Sequence, residues 1–401
     1  MDSASNRIYF KNFDVLRFVA AYLIVLLHCF FGWKAFFGHP AFITSGLSSS
    51  AIEKVELIVN NFSFGVDIFF LISGFLITYL LLAEKEETGR IDVPKFYIRR
   101  AFRIWPLYFV MILIGPLLSY FFYEQSPDYL YQFLFVGNFD VILHGTKSPA
   151  TDHLWSICIE EHFYLICPLI LFLIPVKKIP QALLSIVLIS IIYRVYIASS
   201  SENYGMTLYM HTLSRIDVLA IGSLLGYLFY YGRIKMDHPL TVRLIIYSVF
   251  LLVFFNVSYN ECGSFFTASV KKYFYVLSVA YWMGNFLFNP NAKFTFSGPN
   301  AFHRLGKMSY GIYMFNPVAI YLILKAFSVL GFQNYILFLI CVHACMWVVI
   351  CLSYYFIELP FLSLKEKYSV IKSGTEISEA DEIPETNEEV VADAITIRNA
   401  E

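Results

Sequence analysis

The sequence predicts an all-α polytopic membrane helix bundle of about ten transmembrane helices, with N- and C-termini cytoplasmic. Three observations carry that expectation. Of 401 residues, 58% are hydrophobic and only 15% are charged, against about 25% charged in a soluble domain. The apolar residues gather into runs long enough to cross a bilayer. The basic residues between those runs alternate between plentiful and scarce. A formal net charge of −1 leaves no basic excess for nucleic acid.

A span takes about 20 mostly apolar residues. The runs that qualify are 13–33, 62–83, 103–123, 154–175, 182–200, 213–231, 241–257, 272–289, 309–330 and 334–357. The stretch 129–143 is shorter and carries Gln132, Gly137, Asn138 and Asp140. By composition it could cross, re-enter or lie in the interface. Loop charge separates these cases. If 129–143 does not cross, 20 Lys and Arg residues lie on the side of the N-terminus, 6 on the opposite side and 3 inside spans. If it crosses, every later loop flips and the bias collapses. The positive-inside rule therefore favours ten spans and cytoplasmic ends.

The organisation expected is a cytoplasmic N-terminus over 1–12, a transmembrane unit over 13–362 and a cytoplasmic acidic tail over 363–401. The tail's Glu, Asp, Thr and Asn content reads as solvated chain without fixed structure. The first apolar run is too long for a signal peptide and no small-residue cleavage site follows, so it is expected to remain as a span. Met1-Asp2 excludes myristoylation. There are 7 cysteines, all but Cys262 inside apolar runs, with no spacing for zinc or a disulfide framework. They read as packing residues, and no metal is expected.

Ionisable groups inside a span are costly unless paired or wetted, so they are candidates for function. The first span offers Asp14, Arg17 and His28. Arg17 and His28 are eleven residues apart, which returns them to one helix face about 16 Å apart along the axis. The plain alternative is a buried ion pair and a satisfied histidine that fix packing. In the second span Asp67 falls near the outer end, as a reactive group or a helix-start residue. Gly74 there reads as a packing residue. Arg100 and Arg103 lie i, i+3 at an expected helix start on the cytoplasmic side, a site suited to phosphates, or else simple topogenic charge. Glu160 and Glu161, with His162 beside them, lie about two turns into an apolar helix and are hard to explain as packing. A carboxylate beside an imidazole orients it and raises its basicity, which suits general-base attack by a hydroxyl.

Six segments together resemble acyltransferase family 3, which includes membrane O-acyltransferases of bacterial surface polysaccharides and lipopolysaccharide. They are Arg17 with His28 eleven positions on, GVDIFFLISGFLIT (65–78), FYIRRAFRIWPLYF (96–109), LWSICIEEHFYLICP (154–168), LGKMSYGIYMFNP (305–317) and SYYFIELP (353–360). They occur in the family's order and span about 13–362. The resemblance implies roughly ten spans, a cytoplasmic acyl donor (usually acetyl-CoA) and a sugar hydroxyl as acceptor. Carried over by motif, His28 is the base and Arg17 its partner. Arg100 and Arg103 match the cytoplasmic basic pair, and Glu160 and Glu161 the acidic pair. This chain has His162 where many members have Gln, and Asn316 where many have His. Some members carry an added hydrolase-like domain that these residues do not include. The expectation is that the membrane part completes transfer alone or with a partner.

The function expected is an inner-membrane, multi-pass O-acyltransferase. It moves an acyl group, acetyl first, from acyl-CoA to a cell-surface carbohydrate or its lipid-linked precursor. The acid–base set is His28, Glu160, Glu161 and Asp67, and the donor set is Arg17, Arg100 and Arg103. A transporter or flippase using the same charges as a proton relay is the competing reading. The lack of an internal repeat and of matching broken helices speaks against it.

Overall fold

The computed structural model describes residues 7–8, 10–41, 48–122, 128–200, 204–259, 271–289 and 301–373. Cys262 and the acidic tail beyond 373 lie outside the described residues. The helices in chain order are α1 (Lys11–Phe37), α2 (Ser49–Asn61), α3 (Gly65–Thr88), α4 (Val93–Phe122), α5 (Tyr129–Phe133), α6 (Gly137–His144), α7 (Trp155–Leu173) and α8 (Ile179–Ser200). There follow α9 (Gly205–Met210), α10 (Thr212–Tyr230), α11 (Leu240–Asn256), α12 (Lys272–Phe288), α13 (Ala301–Lys307), α14 (Ser309–Leu330), α15 (Tyr335–Ser353) and α16 (Leu359–Glu366). A π-helical stretch, Tyr354–Glu358, joins α15 to α16.

Among the described residues, eight helical stretches are long and apolar enough to cross a membrane, which confirms the all-α polytopic bundle. The two remaining expected spans are α11 and α12, with 17 residues each. At 1.5 Å per residue each is about 25 Å long, at the short limit for a bilayer core. The stretch 129–143 breaks into α5, with 5 residues, and α6, with 8, each too short to cross. Between them Phe135 takes a left-handed backbone at φ 57°, which is costly for a bulky residue. Its ring stacks 4.5 Å from Tyr108, whose hydroxyl donates to the Gln132 carbonyl at 2.7 Å. Those contacts hold the bend in place.

The two ends of the described chain meet. Strand β1 (Arg7–Ile8) pairs in parallel with β2 (Lys372–Ser373), so both lie on one face of the bundle, termed the terminal face. At the centre, α3 packs on α10 through small residues. A side chain at Gly74 would strike the Leu219 carbonyl, and one at Gly222 would strike the Leu71 backbone. Ser223 adds a hydroxyl that donates to the Gly74 carbonyl at 3.1 Å. With lipid on the outside, such close backbone approach replaces hydrophobic burial as the source of helix adhesion. The same contact fixes Asp67 and Ser73 of α3 relative to the rest of the interior.

Gly222→Leu is therefore expected to force α3 and α10 apart and to remove most folded protein. Val329→Leu, at a position 86% exposed on α14, should be neutral. Fluorescence-detected size-exclusion of detergent extracts checks this. Equal monodisperse yields for the two variants would contradict the packing.

Candidate functional site

The site starts where α1 and α4 reach the terminal face. Asp14 and Arg17 pair at 3.0 Å, one helical turn apart. Asp92 caps α4 by accepting the Lys95 backbone N–H at 3.1 Å. Arg99 is tied to Glu84 at 2.8 Å and to the Tyr368 carbonyl at 3.0 Å. These ties set the rotation of α4. Arg100 then lies with its guanidinium 5.3 Å from the ring centres of both Phe96 and Tyr164.

Two cavities meet at these arginines. One, of about 830 Å³, opens at the terminal face and is lined in part by Ile8, Glu84, Arg99, Lys365 and Ile371. The other, of about 760 Å³, lies inside the bundle among Phe70, Ser73, Ser156, Glu160, Tyr164 and Tyr310. Arg17, Arg100 and Arg103 line both. The three arginines singled out in the sequence are thus brought together. One expectation is corrected. Helix α4 begins at Val93, so Arg100 is about two turns inside it. Its own helix therefore offers it no free N-terminal amides, and guanidinium groups line both cavities there. Lys365, counted in the sequence only as loop charge, joins them.

Glu160 faces the same chamber. Tyr164 donates its hydroxyl to Oε2 at 2.8 Å, and Ser73 shares a hydrogen bond with that hydroxyl at 2.6 Å. Its carboxylate interacts electrostatically with Arg100, Arg103 and Arg17. Glu161 points round the helix toward the Trp105 indole.

His28 sits further from the terminal face. Its Nδ1 is 2.7 Å from Asn316 Oδ1. The residue it faces electrostatically on the α7 side is His153, just before that helix. The acid–base set that grouped His28 with Glu160 and Glu161 is corrected here, because neither glutamate is the partner that orients the imidazole. Glu160 is seven residues beyond His153, about 10 Å further toward the arginines. Asn316, a neutral residue, holds the imidazole instead.

Asp67 is also placed elsewhere. Its Oδ1 is 2.7 Å from Arg215 Nη2, and its other oxygen accepts the Tyr259 hydroxyl. Arg215 donates to the Tyr259 oxygen at 3.0 Å and is surrounded by the rings of Phe70, Trp155 and Tyr209. Asp67 thus serves a buried ion pair, not the histidine. A second pair, Asp217 with Lys272 at 2.7 Å, lies two residues further along α10, with Tyr273 donating to the same carboxylate at 2.6 Å. Sequence reasoning missed Arg215 and Lys272 because both stand at the edges of apolar runs and look like loop charge. Cys29 and Cys158 behave as packing residues. Cys29 is fully buried in an apolar cluster with Trp33 and Phe338, and Cys158 lies 3.8 Å from the Tyr108 hydroxyl.

Ionisable side chains inside a multi-pass bundle thus line two joined cavities, the placement expected of functional groups in a membrane protein. The chain belongs to acyltransferase family 3, whose acyltransferase-domain profile matches residues 10–357. Among relatives, it is 28% identical over 328 residues to a Staphylococcus aureus (strain COL) protein provisionally named an O-acetyltransferase. That alignment covers 74% of this chain and 52% of the relative. It is 34% identical over 198 residues to the peptidoglycan O-acetyltransferase OatA of Listeria monocytogenes, covering 46% of this chain and 28% of that one. It is 28% identical over 286 residues to O-acetyltransferase OatA of Staphylococcus aureus (strain NCTC 8325), covering 64% and 46%. The chain spans about half the length of the relatives it matches, or less. No solved structure matches it.

Asp67→Ala strips the partner from a guanidinium that is 2% exposed, and breaking a buried pair costs about 3–5 kcal/mol. A marked fall in melting temperature in detergent is expected. Unchanged stability with lost activity would instead return Asp67 to the chemistry.

Proposed function

We propose that this chain is an integral-membrane O-acyltransferase of the plasma membrane. It moves an acyl group, acetyl first, from acyl-CoA to a hydroxyl of a cell-surface carbohydrate or its lipid-linked precursor. The observation that carries the reading is the arginine cluster common to the two cavities. A donor with several phosphates and a long neutral arm has one charge-rich end and one slender reactive end. Arg17, Arg100, Arg103 and Lys365 suit the phosphates, by charge-assisted bonds. The inner cavity suits the pantetheine arm. The excess of Lys and Arg in the loops of the terminal face supports placing that face in the cytoplasm, where acyl-CoA is made.

His28 is the general base in this reading. Its neutral imidazole removes the proton of the acceptor hydroxyl as the oxygen attacks the thioester carbonyl. The carbon–sulfur bond of the tetrahedral intermediate then breaks, and the imidazolium returns the proton to the departing CoA sulfur. Protons balance with no outside donor. Glu160 balances the guanidinium charge inside the chamber, so that the sulfur is protonated as it departs and is not held there as an ion-paired thiolate. The names carried by the OatA relatives make a glycan hydroxyl the first acceptor to test.

Release of free CoA by purified protein given acetyl-CoA and a glycan acceptor tests the reading directly. Loss of a general base costs about 10²–10⁴-fold in rate, so His28→Ala should nearly abolish release while Cys29→Ala and Cys158→Ala retain most of it. Near-normal acylation by His28→Ala would refute the mechanism. One charge-assisted bond is worth about 1.5–3 kcal/mol, so Arg100→Ala should raise the KM for acetyl-CoA about tenfold or more. A folded double variant at Arg100 and Arg103 with unchanged KM would overturn the donor site.

A further inference from the structure

Helix α14 carries a proline, Pro317, immediately after Asn316. In an α-helix the carbonyl of residue i−4 accepts from the N–H of residue i. Proline has no N–H, so the Tyr313 carbonyl lacks its helical donor. Asn316 supplies one from its side chain: Nδ2 donates to the Tyr313 carbonyl at 2.6 Å and to the Ile312 carbonyl at 3.0 Å. Asn316 is fully buried. With both amide hydrogens committed to backbone carbonyls, the amide oxygen is the atom left to face His28 Nδ1, at 2.7 Å. The reverse orientation would set that oxygen against two carbonyls. A carbonyl oxygen only accepts, so Nδ1 of His28 carries the proton and Nε2 keeps the lone pair.

We propose that Pro317 and Asn316 are positioning residues for His28. The proline frees a backbone carbonyl, the carbonyl fixes the amide, and the amide fixes the tautomer and tilt of the imidazole. The inference deepens the reading of His28 as the base and rests on it. It assigns Pro317 a role distinct from bending the helix, because a bend alone leaves the amide free to rotate. The ring of Tyr313 is anchored separately, through its hydroxyl to the His153 carbonyl at 2.9 Å, so changes at Pro317 act on the backbone oxygen.

A double-mutant cycle on the full chain tests this, read by kcat and KM for acetyl-CoA and by melting in detergent. Misplacing a reacting group by about 1 Å costs on the order of 10²-fold, so Asn316→Ala should lower kcat roughly 100-fold and move KM by less than about twofold. Pro317→Ala restores the N–H, which competes for the Tyr313 carbonyl, and should lower kcat roughly tenfold. The two changes share one path, so the double variant should match Asn316→Ala alone. Multiplicative losses in the double variant would overturn the inference and leave the base reading intact. Activity retained by His28→Ala would remove the base reading first. Restoring a helical N–H should not unfold α14. If Pro317→Ala and Pro317→Leu both lose the fold, the proline is structural and the inference fails.

Discussion

Hydrocarbon offers no partner to a charge or a backbone amide, and the arrangement of this bundle follows from where its ionisable side chains find theirs. Two carboxylates on the far side are neutralised in place: Asp67 by Arg215 and Asp217 by Lys272, each with a tyrosine hydroxyl as a further donor. The cluster near the terminal face is different. Arg17, Arg100 and Arg103 face Asp14, Glu160, Glu161 and Glu358, but among the described residues only Asp14 closes a direct ion pair with one of them, Arg17 at 3.0 Å. These arginines line the place where the two cavities meet. The far-side charges are locked in close pairs, whereas those near the terminal face line open space.

Tyrosine makes this division possible. The chain holds 29 of them. Tyr164 fills space against Arg100 while donating to Glu160. Tyr313 does the same between Ser156 and the His153 carbonyl. A flat ring with one hydroxyl packs like a hydrophobe and satisfies a buried acceptor at its tip. The unusual aromatic content is therefore the solvent this interior supplies to itself.

Much of the fold was legible because the bilayer writes length and polarity directly into sequence. The run 309–330 coincides with α14, and 154–175 with α7 to within two residues. Non-crossing of 129–143 followed from charge alone, and the broken pair α5 and α6 agrees with it. The candidate site was legible where it is ionic: Arg17, Arg100, Arg103 and Glu160 line one chamber. It was not legible where the partner is neutral or distant. Asn316 carries no charge to mark it and lies 288 positions from His28. Arg215 is far from Asp67 in sequence and meets it only because α3 and α10 pack glycine to backbone.

The pairing of Arg7–Ile8 with Lys372–Ser373 has a consequence for how the molecule comes into being. Ile8 and Ile371 belong to the wall of the cavity at the terminal face. One side of that mouth is therefore made at the start of translation and the other near the end of it. While the chain is still emerging from the ribosome, the arginines of α1 and α4 are already in the membrane, but the rim that encloses them is not. The entrance is completed only when the stretch from Lys365 to Ile371 has been made, and a nascent chain truncated before it holds the charges without that side of the doorway.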